Sequence, residues 1–161
     1  MLLGIDLGGT KIEGIVLKSK ENPEEIIRHR INTEEEKGYS QVINNIKSLV
    51  NHIENKINYK FKRLGIGTPG TIDPETGLLK NSNSQCLNGM PIQKDLAKTL
   101  DKIIHIQNDA NCFALAETLL GSVKDQYPDA KNVFGIIIGT GVGGGVIIDG
   151  KTVYGSQGIG G

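Results

Sequence analysis

Leu3-Gly4-Ile5-Asp6-Leu7-Gly8-Gly9-Thr10-Lys11 begins as an apolar run of strand length and ends on two adjacent glycines. Ile12 to Leu17 then resumes as a second apolar run, which predicts a β-hairpin with the glycine pair at its tip. Gly8 and Gly9 have no side chains, so their backbone N–H groups can approach an anion closely, and Thr10 and Lys11 add a hydroxyl donor and a positive charge. That chemistry suits a nucleotide phosphate. Asp6 is a charge on an otherwise apolar strand, expected at the same point, where a carboxylate can hold Mg²⁺ through water. An ordinary Gly-Gly hairpin with a chance acid explains these residues equally well.

A second copy of the same design shifts the balance. Sliding the chain against itself by 131 residues sets Gly4-Ile5 on Gly135-Ile136, Gly8 on Gly139, Gly14 on Gly145, and Ile15-Val16-Leu17 on Val146-Ile147-Ile148. A repeat this far apart points to duplicated domains rather than to a solenoid, whose period is ~20–50 residues. The two tips are expected to clamp one nucleotide.

Composition narrows the function classes. Lys plus Arg equals Asp plus Glu at 18 each, and no basic run is present, which argues against nucleic acid or an anionic membrane as the main partner. Twenty-two glycines without low-complexity repeats imply the tight turns and close backbone approaches used by small-ligand enzymes. Cys86 and Cys112 are too few and too isolated for a disulfide framework or a cysteine-rich metal site, so a reducing cytoplasm is the expected location. No signal-peptide core and no membrane-length apolar run are found.

Along the chain, Glu25 to Asn32 reads as a third strand with Arg28 and Arg30 outward and His29 at the surface. Tyr39, Val42, Ile43, Ile46, Leu49, Val50, Ile53 and Ile57 recur at helical spacing and predict a long amphipathic helix, with His52 solvated off the stripe. Leu64 to Gly67 is a short strand ending in Thr68-Pro69-Gly70, a loop in a typical ligand position. Lys80-Asn81-Ser82-Asn83-Ser84-Gln85 is rich in amides and hydroxyls, which suits either a polyhydroxylated ligand or a plain solvated loop. A helix from Pro91 carries Ile92, Leu96 and Leu100, and Ile103 to Gln107 is the next strand, with His105 packed or at an edge. Asn108-Asp109-Ala110-Asn111 then opens a helix whose expected buried stripe is Cys112, Leu115, Ala116, Leu119 and Leu120. Asp109 at that junction is stabilised by the helix N-terminus, whether or not it has a chemical role. Residues 122–132 read as a linker, and Val133 to Ile138, Gly145 to Ile148 and Lys151 to Tyr154 as strands of the second copy. Gly139-Thr140-Gly141-Val142-Gly143-Gly144 fits G-x-G-x-x-G literally, but strand rather than helix follows and no V-A-I-K lysine strand is present, so neither a dinucleotide fold nor a protein kinase is indicated.

With these residues in place, the chain resembles the ROK family of sugar kinases and repressors. The resemblance runs from Met1 to Gly161 and rests on Gly4 to Lys11, Asn108-Asp109-Ala110-Asn111-Cys112 and Ile138-Gly139-Thr140-Gly141-Val142-Gly143. Lys80 to Ser84, Leu87-Asn88-Gly89 and Lys94-Asp95-Leu96 are closest to the fructokinase and mannokinase branch, although Cys86 stands where that branch usually has Trp. The resemblance implies an α/β fold of the actin-like ATPase type, built from ribonuclease-H-like domains, one nearly complete and the second represented by its first three strands. Its expected domains are residues 1–121, a linker at 122–132, and an incomplete second domain at 133–161.

The resemblance also assigns roles. Asp109 is the expected general base toward a hexose 6-hydroxyl, Asn108 holds a neighbouring hydroxyl, and Gly70, Asn81 and Asn83 line the sugar pocket. Gly8, Gly9, Thr10, Lys11, Gly139, Thr140, Gly141 and Gly143 carry the ATP phosphates, with Asp6 near Mg²⁺. Phosphoryl transfer needs mostly alignment and charge stabilisation. The implied activity is ATP-dependent phosphorylation of fructose or mannose by a cytoplasmic homodimer. The chain stops one residue short of the Glu in the family's Gly-Glu-x-Gly-His motif, so it is expected to be an inactive fragment, with zinc ligands only in the absent C-terminal part. The alternatives are a sugar-sensing repressor, whose helix-turn-helix has no room ahead of Leu3, and an actin-like ATPase without a sugar substrate.

Overall fold

The computed structural model describes residues 1–138 and 142–160. The chain forms two compact units, Met1–Ile106 and Gln107–Gly161.

The first unit opens with the expected meander. Strands β1 (Leu2–Leu7), β2 (Lys11–Leu17) and β3 (Glu25–Asn32) pair antiparallel, with Leu7 opposite Ile12 across the first turn. Helix α1 (Tyr39–Ile57) follows, then β4 (Arg63–Thr68), which runs parallel to β1. A small ribbon of β5 (Thr71–Ile72) and β6 (Leu79–Lys80) leads to α2 (Ile92–Leu100) and to β7 (Ile103–Asn108), giving the sheet order β3-β2-β1-β4-β7.

Helix α1 buries the predicted stripe: Val42, Ile43, Ile46, Leu49, Val50 and Ile53 join Leu3, Ile5, Leu7, Ile12 and Val16 in one core. Gly14 faces this helix, where a Cβ would lie 2.5 Å from Ile53 Cδ1. The helix ends at Asn58, held in the left-handed region at φ 50. One turn earlier, the buried Glu54 carboxylate accepts from Lys102 Nζ at 2.8 Å, Lys60 Nζ at 2.9 Å and the Phe61 N–H at 2.9 Å. Burial alone would raise the Glu54 carboxyl, but these donors outweigh it and leave it below the ordinary glutamate value. On the outer face of β2, Glu13 likewise takes both Arg28 and Arg30. His29 and His52, expected to be separately solvated, stack with ring centroids 4.1 Å apart because β3 and α1 bring them face to face.

The second unit departs from the sequence expectation in its helices. Helix α3 (Asp109–Leu119) packs on the hairpin of β8 (Asn132–Ile138) and β9 (Val142–Ile148) instead of belonging with residues 1–106. The cause is a set of glycines. A Cβ on Gly135 would lie 2.8 Å from Ala114 Cβ, and one on Gly145 would lie 2.6 Å from the Ala110 carbonyl oxygen. The helix face that fits against them is therefore small: Ala110, Asn111 and Ala114 are buried, whereas Leu119 and Leu120, expected in the buried stripe, are exposed. Residues 122–132, read as a linker, contain helix α4 (Ser122–Gln126), tied back by Ser122 Oγ and N–H to Glu117. The last strand, β10, is shorter than expected, Lys151–Thr152.

The internal repeat also needs a correction. Leu7 pairs with Ile12 at the first tip, but Ile138 pairs with Val142 at the second, which is one residue shorter. The offset of 131 holds for the first strand and becomes 130 beyond the tip. Leu3, Ile5, Leu7, Ile12, Gly14 and Val16 then correspond to Phe134, Ile136, Ile138, Val142, Gly144 and Val146. In the first unit these positions face α1; in the second they face away from α3, and Ile138 and Val142 are 80% and 78% exposed.

Candidate functional site

In the first unit the glycine tip is held from one side by the residues that follow β3. The Gly8 N–H donates to Lys11 O at 2.9 Å, which closes the turn. Thr33, almost fully buried, donates its hydroxyl to Gly8 O at 2.7 Å and its N–H to Thr10 O at 2.9 Å. Lys11 Nζ donates to Asn32 Oδ1, so the charge expected to meet a phosphate is tethered beside the tip. Sequence reasoning missed Thr33 and Asn32. The only signal available was their position at the end of a strand that pairs with β2.

Asp6 is exposed near the end of β1, opposite Glu13 across the strand pair. Among the described residues no group of three or more His, Cys, Asp or Glu side chains is placed to hold a metal. A single carboxylate fits Mg²⁺ in its usual mode, in which water and substrate phosphate complete the octahedron.

Gly70 and the polar loop come together in the first unit. Gly70 has φ +83, and a Cβ on it would lie 2.4 Å from Lys80 O and 2.8 Å from Ser82 N, so only glycine lets these backbones meet. Asn81 is itself left-handed at φ 59 and exposed. With Asn83, Lys80, Gln85 and Asn88 it lines an open depression of about 600 Å³. Asn88, quoted from sequence only within the Leu87-Asn88-Gly89 resemblance, braces the loop: its Oδ1 accepts from Ser82 N–H and its Nδ2 donates to Ser82 O, both at 2.9 Å. At the rim, Lys80 Nζ and Asp73 are 2.8 Å apart. That bond, with the N–H groups of Thr76 and Glu75, lowers the Asp73 carboxyl to about 2. The Cys86 thiol, where an aromatic was expected by resemblance, is pushed up by burial and by the nearby Glu35 carboxylate.

In the second unit, Asn108 is the N-cap of α3. Its Oδ1 accepts from the N–H groups of Ala110 at 3.0 Å and Asn111 at 3.3 Å. Asp109 begins the helix, half-buried, and its Oδ1 accepts from the Ala110 N–H at 2.8 Å. Gly143 lies against the same first turn, where a Cβ would come 3.2 Å from Ala110 Cβ. Gly139, Thr140 and Gly141 lie outside the described residues.

The β-meander, the parallel β4 and the helix order are those of the actin-like ATPase fold. Within that class the chain belongs to the ROK family, whose model matches residues 2–161. It is 38% identical over its whole length to an N-acetyl-D-glucosamine kinase of Aliivibrio salmonicida, covering 51% of that protein, and 39% identical to that of Mannheimia succiniciproducens, covering 50%. Among solved structures it superposes on the ROK hexokinase of Thermus thermophilus with a TM-score of 0.81 and 28% identity, over 98% of this chain and 50% of the other. The chain spans about half the length of the curated relatives it matches. No described helix is long and apolar enough to cross a membrane.

Proposed function

We propose that a protein carrying this chain and extending to the full length of its relatives transfers the γ-phosphoryl group of ATP to a hexose 6-hydroxyl. The observation that carries this reading is Asp109, a half-buried carboxylate held at the α3 N-terminus by the Ala110 N–H. In this reading Asp109 takes the hydroxyl proton as the oxygen attacks phosphorus, and the nucleotide diphosphate leaves. Gly9, Thr10 and Lys11 supply donors and charge to the phosphates, while Asn81 and Asn83 hold sugar hydroxyls. Mg²⁺, held through water near Asp6, would supply charge neutralisation.

For the sugar, the names of the curated relatives favour N-acetylglucosamine. The second reading, fructose or mannose, is favoured by Lys80 to Ser84, Leu87-Asn88-Gly89 and Lys94-Asp95-Leu96. A coupled assay of a full-length protein across a hexose panel separates them. Asp109→Asn should lower kcat by about 10²–10⁴ with nucleotide binding retained, and an unchanged kcat would remove Asp109 from its role as base. ATP turnover independent of added hexose would defeat the sugar-kinase reading itself. The 161-residue chain alone is expected to show little or no turnover in the same assay.

A further inference from the structure

Three carbonyls of the first glycine tip are already engaged. Gly8 O accepts the Thr33 hydroxyl, Thr10 O accepts the Thr33 N–H, and Lys11 O accepts the Gly8 N–H. No hydrogen bond among the described residues uses the N–H of Gly9 or Thr10. An anion is attracted by free backbone N–H groups and repelled by carbonyl lone pairs turned toward it, so the sign of such a tip depends on where its carbonyls point. Two of the three carbonyls are turned by one residue, Thr33, which is 1% exposed and so makes these bonds without competition from water.

We propose that Thr33 is the positioning residue of the phosphate-binding tip: it draws the Gly8 and Thr10 carbonyls to its own side and leaves the N–H groups of Gly9 and Thr10 for an anion, with the Glu35 carboxylate and Ser84 hydroxyl 3.5 Å from where a Gly9 Cβ would stand. The inference rests on the reading of this tip as a phosphate site. Thr33 is in turn fixed by α1, since Asn45 Nδ2 donates to Thr33 O at 3.0 Å and reaches Asn32 O at 3.4 Å. Asn32 carries the acceptor that holds Lys11. The two residues at the end of β3 therefore orient both the backbone donors and the cation of the tip, and Asn45 transmits their position from the helix.

The test is a titration of ¹⁵N-labelled chain with inorganic tripolyphosphate and with the non-hydrolysable nucleotide AMPPNP, following the Gly9 and Thr10 amide resonances. In the unmodified chain both resonances should shift saturably. Thr33→Val, which keeps the branched shape and removes the hydroxyl, should weaken binding about tenfold, and Thr33→Ser should restore it to within about threefold. In a full-length enzyme the same valine variant should raise KM for ATP and leave KM for the hexose unchanged, a split that general destabilisation would not produce. Should Thr33→Val not fold, Asn45→Ala loosens Thr33 without touching its hydroxyl and should weaken binding in the same direction. Shifts at Gly9 and Thr10 with undiminished affinity in either variant would overturn the role of Thr33 while leaving the tip as a phosphate site. Equal losses in the valine and serine variants, matched by equal drops in Tm, would make Thr33 merely structural. Absence of any shift in the unmodified chain would remove the phosphate site and the inference with it.

Discussion

Removing Lys102 should destabilise the first unit far more than removing Lys60, although both ammonium groups contact the same carboxylate. Lys102 Nζ lies 2.8 Å from Glu54 Oε1 and donates to Phe61 O at 2.7 Å, with its side chain 10% exposed. At that separation, with an effective dielectric constant of about 20, the attraction is about 6 kcal/mol before desolvation is counted. Breaking a buried pair from one side costs about 3–5 kcal/mol. Glu54 keeps Lys60 and the Phe61 N–H, so Lys102→Met should cost about 3 kcal/mol, the lower end of that range. Lys60 is 69% exposed and its pair is screened by water, so Lys60→Met should cost about 0–1 kcal/mol. With a urea dependence of about 1.5 kcal/mol per molar, the midpoint should fall by about 2 M in the first variant and by under about 0.7 M in the second. Urea unfolding followed by far-UV circular dichroism, with amide exchange in α1 to assign the transition, measures both. Adding Glu54→Gln to Lys102→Met removes the stranded charge and should recover part of the loss. Equal midpoints for the two lysine variants, or a loss for Lys102→Met below about 1 kcal/mol, would refute the claim that burial sets the difference.

The second unit should fail at Gly145, where alanine places a Cβ 2.6 Å from the Ala110 carbonyl oxygen. Overpacking against backbone costs about 1–3 kcal/mol or more, and faster proteolysis of residues 107–160 would report it. Gly70→Ala combines φ +83 with a 2.4 Å approach to Lys80 O, so it should deform the 80–83 loop and abolish hexose binding measured by calorimetry. For Asp73, the folded carboxyl lies near 2 against an ordinary 3.8, so its contribution is present above about pH 3.8 and is lost as pH falls through about 2. An NMR titration of Lys80→Met should find the Asp73 pKa moved up toward the ordinary value.

Much of the first unit was legible because its signals are local. The stripe from Tyr39 to Ile57 has helical spacing, and the Gly8-Gly9 pair divides two apolar runs. What could not be read was which helix covers which sheet. Leu115 and Leu119 are the large apolar residues expected to pack in α3, yet contact is decided by glycines some twenty to thirty-five residues downstream that admit only small side chains. The repeat was visible, but its one-residue change at the second tip emerged only from strand pairing, because glycines at 143, 144 and 145 let the alignment slide. Thr33 escaped because it acts through backbone groups distant in the chain, and nothing in a lone Thr announces that.

The uncovered side of the β8–β9 ribbon has a consequence for how the molecule behaves in bulk solution. Phe134, Ile136, Ile138, Val142 and Ile148 form an oily surface on a chain of zero formal charge, so little long-range repulsion opposes contact between molecules. Its colloidal behaviour should therefore be governed by this ribbon and not by the well-packed first unit. Light scattering should grow with protein concentration, a hydrophobic dye such as ANS should bind at neutral pH, and ammonium sulfate should salt the chain out early, since excluded salts strengthen apolar association. A purification that begins with hydrophobic-interaction chromatography would turn the same surface into a handle.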